Sequence, residues 1–115
     1  MSRTTGWATC PLTEAGFVRV SCNPSAVKQE ATPLDAIALL RALMRRGSHA
    51  FWSHDRSITS IPEEIRLRIQ GYRQITDAML LALAMQHGGR LATLDTGLKS
   101  LLPADRQQPV YVIPV

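Results

Sequence analysis

The chain has 115 residues, room for one domain and not two. Its hydrophobic fraction of 45% excludes a disordered chain, and with only 5% aromatic residues the core must rest on Leu, Ile, Val, Ala and Met. A formal net charge of +4 favours an anionic partner such as a nucleic acid. No apolar run is long enough to span a membrane, and residues 1–6 lack the basic-then-apolar order of a signal peptide, so cytoplasm is the expected compartment. Cys10 and Cys22 are too few for a disulfide scaffold or a thiolate zinc site. Cys10 reads as a buried thiol. His49, His54 and His87 have no ligand spacing.

Residues 7–10 (Trp-Ala-Thr-Cys) form a short apolar stretch that ends at Pro11. It predicts a buried strand followed by a helix, with Pro11 tolerated in the first turn. Leu12, Phe17, Val18 and Val20 supply that helix's apolar face, and Asn23-Pro24-Ser25 ends it. A second helix is signalled by Thr32 as N-cap, Pro33 at the first position and Asp35 closing a capping-box-like pair. Its apolar positions are Leu34, Ile37, Ala38, Leu40, Ala42, Leu43 and Met44, and Arg45-Arg46-Gly47 makes its end.

Residues 49–58 predict a short edge strand and a turn. Pro62 starts a helix over residues 63–69, and Gly71 breaks it. Thr76 caps a helix over residues 77–87 that is apolar almost all round and therefore buried on several sides, with Gly88-Gly89 as its stop. Residues 90–94 read as a strand, with Asp95 at its C-terminal end. A short helix over residues 96–102 stops at Pro103, and residues 110–113 form a last strand parallel to the previous one. Strands alternating with helices predict an α/β fold with a largely parallel sheet.

Three acids hold similar places in this pattern. Glu14 lies in the opening turn of the helix after the first strand, Asp77 starts the buried helix, and Asp95 ends a strand before a helix. In an open parallel sheet, function gathers beyond the C-terminal strand ends, so carboxylates from distant parts of the chain can converge there. A carboxylate cluster needs a counter-charge, and Mg²⁺ or Mn²⁺, as hard cations, suit oxygen ligands. The chemistry would be phosphodiester hydrolysis. Each acid also has an ordinary structural reading: Asp77 at a favourable helix start, Asp95 as a turn or cap residue, Glu14 as a first-turn glutamate. Asp35 is explained as a cap, Glu63 and Glu64 as solvated helix residues, Asp55 and Asp105 as loop residues. Arg73, with Tyr72 and Gln74 beside it, lies just before Asp77 and is the candidate phosphate contact. Neither a glycine-rich phosphate loop nor a serine or cysteine nucleophile elbow is present.

These residues resemble those of a known family. Residues 6–24 look like the second strand and following helix of VapC-type PIN domains. Thr76-Asp77-Ala78 within residues 74–84 is similar to that family's Thr-Asp-Ala helix, and residues 89–95 to its penultimate strand with a terminal Asp. The resemblance implies a Rossmann-like α/β/α sandwich with a mostly parallel sheet. It also implies a Mg²⁺- or Mn²⁺-dependent endoribonuclease, the toxin of a type II toxin–antitoxin pair. Its partners would be an RNA substrate, a cognate antitoxin and a second copy in a homodimer, with no membrane. Asp77 and Asp95 carry over as catalytic metal ligands. Glu14 carries over too, although many PIN domains place the acid three residues after the threonine, where this sequence has Gly16.

The family opens with a strand ending in a metal-binding Asp, normally central in the sheet, and nothing here matches it. The expectation is a single PIN-like domain over 1–115, truncated at its N-terminus and lacking that first central strand. Three readings stay open: a longer natural protein, an inactive remnant, or a rearranged sheet completed by another chain. The alternative function is a catalytically inactive module that retains antitoxin or RNA binding.

Overall fold

The structure, a computed structural model, describes residues 6–23, 32–93 and 95–114. The chain divides into two compact units, Met1–His54 and Asp55–Val115.

In the first unit, β1 (Trp7–Thr9) leads straight into helix α1 (Pro11–Ser21), and helix α2 (Pro33–Leu43) leads to β2 (His49–Phe51). The two strands are parallel, with Trp7 opposite His49 and Thr9 opposite Phe51. Pro11 takes the first helical position, where its missing N–H costs nothing. Thr13 closes the turn by accepting from the Cys10 N–H at 2.9 Å and donating to the Cys10 carbonyl at 3.0 Å. Cys10 is a buried free thiol, as expected. Thr32 caps α2 by accepting from the Asp35 N–H at 3.1 Å.

The apolar faces differ from expectation. Leu12 and Val20 of α1 are exposed, and α1 has no buried residue. On α2, Leu34 and Ile37 are exposed, and the buried positions are Ala36 and Leu40. Two short helices that pack mainly on each other cannot cover a wide apolar stripe on both. Helix α2 also ends at Leu43, before Arg45 and Arg46, with Gly47 at φ +64° completing the exit. The expected stop at Pro24-Ser25 lies outside the described residues; α1 ends at Ser21, with Cys22 as its C-cap.

The second unit holds α3 (Glu63–Arg66), α4 (Ile75–Gln86), β3 (Leu91–Thr93) and β4 (Val110–Val112), with 3₁₀ segments at Ile58–Ser60, Tyr72–Gln74 and Thr96–Leu101. β3 and β4 are parallel, as the sequence predicts. The described strands thus form a two-stranded parallel sheet in each unit. The core of the second unit is Ile61, Ile65, Ala78, Leu81, Leu98, Leu101, Leu102 and Val110. Buried Ala78, Leu81, Leu83 and Ala84 lie on several sides of α4, as its all-round apolar sequence requires. Gly88, at φ +68°, ends it.

Three boundaries move. Helix α3 is a single turn rather than a helix to residue 69, because one buried side chain, Ile65, is all it anchors. Helix α4 begins at Ile75, not after Thr76, because the 3₁₀ turn Tyr72–Gln74 feeds into it without an extended capping residue. The segment after Asp95 is 3₁₀ rather than α. Leu94, expected to end the strand before it, lies outside the described residues.

Candidate active site

Asp77 is the third residue of α4. The preceding 3₁₀ turn leaves that helix end without a side-chain cap, so backbone N–H groups face the first turn where Asp77 sits. Ala78 beside it is fully buried, which pulls the aspartate down until its side chain is half-buried. That burial, with the negative charge of Asp95 added to it, holds the Asp77 carboxyl above the ordinary value of 3.8. Among the described residues, no hydrogen bond relieves it.

Asp95 follows β3 and is held by its own loop. Its N–H donates to Thr93 Oγ1 at 3.0 Å, and its Oδ1 accepts from the Gly97 N–H at 2.9 Å, capping the segment Thr96–Leu101. The ordinary reading of Asp95 as a cap residue is therefore true of one of its oxygens. The structure brings Asp77 and Asp95 close enough for their charges to act on each other, although they come from different elements.

Glu14 lies in the first unit, in the first turn of α1, where its N–H donates to the Cys10 carbonyl at 3.0 Å. Its Oε2 accepts from Thr9 Oγ1 at 2.6 Å, the short range of a charge-assisted bond. The same Thr9 hydroxyl lies 2.9 Å from His49 Nε2. Sequence reasoning passed over Thr9 and His49. A signal was present in the alternation that puts Trp7 and Thr9 on one face of β1, but only the register Trp7 opposite His49 brings the histidine to that face. Arg73 is exposed, and its guanidinium lies 5.8 Å from the centroid of the neighbouring Tyr72 ring, itself exposed. Of the acids read as non-catalytic, Glu64 pairs with Arg106 at 3.7 Å.

A pair of carboxylates, one half-buried without a hydrogen bond, attracts a cation that prefers oxygen. Among the described residues, no three His, Cys, Asp or Glu side chains gather to hold an ion by themselves. A hard cation on Asp77 and Asp95 would complete its shell with water or substrate oxygens, as Mg²⁺ commonly does. Among the described residues, no helix is long and apolar enough to cross a membrane.

Comparison with known proteins bears on this arrangement. The PIN domain family model matches residues 2–101. Ribonuclease VapC38 of Mycobacterium tuberculosis is 46% identical over 112 residues, which cover 97% of this chain and 77% of that protein. Ribonuclease VapC39 of the same organism is 43% identical over 93 residues, covering 81% of this chain and 67% of its own length. Ribonuclease VapC29 is 37% identical over 101 residues, covering 88% and 70%. A family match that takes in Glu14, Asp77 and Asp95 together, and several relatives of one kind along most of the chain, lead to one assignment: this chain belongs to the PIN-domain family and is a relative of the VapC ribonucleases.

Proposed function

We propose that the chain is a divalent-metal-dependent endoribonuclease, the toxin of a type II toxin–antitoxin pair, acting as one PIN module in the cytoplasm. The observation that carries this is the half-buried Asp77 carboxylate, without a hydrogen bond among the described residues and facing the charge of Asp95. Family membership and the VapC relatives support the same reading. Asp77 and Asp95 would hold Mg²⁺ or Mn²⁺, with Glu14 as the assisting carboxylate. When bound, such an ion polarises a phosphodiester and makes a water more acidic.

The chain's own residues do the rest. Asp95 is kept in place by its bond from the Gly97 N–H, so its free oxygen is presented without loss of side-chain freedom on binding. Asp77, in the first turn of α4, supplies a carboxylate that accepts a proton more readily than an ordinary aspartate. Glu14 is steadied by Thr9. Arg73, exposed just before α4, contacts an RNA phosphate, and the net charge of +4 favours the polyanion generally. A cognate antitoxin and a second copy of the chain are the protein partners of this reading.

The test is cleavage of a mixed RNA pool by the purified chain with Mg²⁺, with Mn²⁺ and with EDTA, and with Asp77→Asn alongside. Cleavage that EDTA and Asp77→Asn both abolish is the expected result. Cleavage unchanged in Asp77→Asn overturns the assignment, and a folded chain that cuts nothing returns it to the inactive binding module.

A further inference from the structure

The first unit contains a polar chain that the carboxylate site does not account for. The rings of Trp7 and His49 meet at 4.6 Å with a tilt of 60°, and Trp7 Nε1 donates to the Arg46 carbonyl at 3.2 Å. The imidazole is therefore held from one side by a ring that is itself tied to the backbone. On the other side, His49 Nε2 meets the hydroxyl of Thr9, a residue only 9% exposed.

A hydroxyl has a single proton to give. Thr9 gives it to Glu14 Oε2, because a carboxylate only accepts. The contact with His49 must then run the other way: His49 Nε2 carries the proton and donates to Thr9. The proton order is fixed from His49 through Thr9 to Glu14. A donor on the hydroxyl oxygen strengthens the bond the hydroxyl makes in turn. One oxygen of Glu14 is thus anchored. Among the described residues the other makes no hydrogen bond, and that is the oxygen with which the glutamate would act.

We propose that His49 is a positioning residue for Glu14, acting through the Thr9 hydroxyl, so that the carboxylate is held in one orientation for a cation or substrate. The proposal rests on the reading of Glu14 as the assisting carboxylate of a ribonuclease. A satisfied buried hydroxyl needs only one partner; the second, with its ring held by Trp7, is what points beyond packing.

The first measurement is independent of activity: two-bond ¹H–¹⁵N correlation of the histidine rings in the purified full chain at neutral pH. His49 should carry a proton on Nε2, and Thr9→Val should shift that nitrogen. A neutral His49 with its proton on Nδ1 overturns the proposal whatever the chain does to RNA. The second measurement is steady-state RNA cleavage across a Mg²⁺ titration. His49→Ala should lower kcat by about 10- to 100-fold and raise the Mg²⁺ needed, with KM for RNA little changed. His49→Gln, whose amide can donate from nearly the same place, should recover most of the loss. Thr9→Val, close in shape, should lose as much as His49→Ala and serves if the alanine variant fails to fold. If Asp77→Asn abolishes cleavage while folded Thr9→Val and His49→Ala match the parent chain, positioning is overturned and the ribonuclease reading stands. If the parent chain shows no metal-dependent cleavage, that reading falls and the proposal with it.

Discussion

Asp95, just after β3, adds its negative charge to the effect of burial on Asp77 in the first turn of α4, and both hold the Asp77 carboxyl above its ordinary value. This has a consequence for stability. Asp77 binds its proton more tightly in the folded chain than in the unfolded one. The fold therefore loses nothing to Asp77 below the ordinary value of 3.8, where the carboxyl is protonated in both states, and it loses stability as pH rises through the higher folded value. Asp77→Asn should melt at a higher temperature than the parent at neutral pH, and the gap should close below pH 3.8. Mg²⁺ should raise the melting temperature of the parent and not of the variant. The same substitution should cut RNA cleavage by at least about 100-fold. A variant less stable than the parent at neutral pH would contradict this account.

Gly6 and Ser48 impose a different constraint. A Cβ on Gly6 would stand 2.6 Å from the Ser48 carbonyl oxygen, the same oxygen that accepts from the Trp7 N–H at 3.0 Å. Backbone on both sides leaves nothing flexible to yield. Gly6→Ala should destabilise the chain by about 1–3 kcal/mol in urea unfolding. At Gly16, inside α1, an added Cβ meets nothing within 4 Å. Gly16→Ala should stabilise by about 0.5–1 kcal/mol. Equal effects of the two substitutions would rule out the close approach at Gly6.

The core of the second unit should separate sharply from the apolar residues of α2. Leu81 is fully buried in the cluster around Ile65 and Leu101, so Leu81→Ala should cost about 2–5 kcal/mol. Leu34 is 77% exposed despite its place in an apolar helix, and Leu34→Ala should change stability by less than about 0.5 kcal/mol. Denaturant midpoints of the two variants check both values.

Arg73 offers a binding test that does not depend on turnover. In an Asp77→Asn background, Arg73→Ala should weaken RNA binding to a similar degree for different sequences and reduce the salt slope by about 1. A loss confined to one RNA sequence would mean that Arg73 reads a base instead.

Local signals in the sequence were enough for much of this protein. The Thr32-Pro33 start of α2, Pro11 at the head of α1 and the positive-φ stop at Gly88 depend on chemistry within a few residues, and the structure keeps all three. The parallel pairing of β3 with β4 follows from the connection between them, and the buried α4 from its composition. Asp77 and Asp95 could be picked out because each stands at an element end, and the residues around them carried the family resemblance. Burial was another matter. Leu12, Val20, Leu34 and Ile37 have apolar periodicity, yet which face is covered depends on neighbours that periodicity does not name. The start of α4 moved because a 3₁₀ turn can run into a helix in place of a capping residue. Above all, the His49–Thr9–Glu14 chain exists only through the register that sets Trp7 opposite His49. A slip of one residue would turn the histidine to the other face of the strand, and nothing local to His49 fixes that choice. Sequence by itself determined which residues could carry chemistry; the pairing of distant strands decided which of them hold one another in place, because hydrogen-bond geometry is set by distances through space and not along the chain.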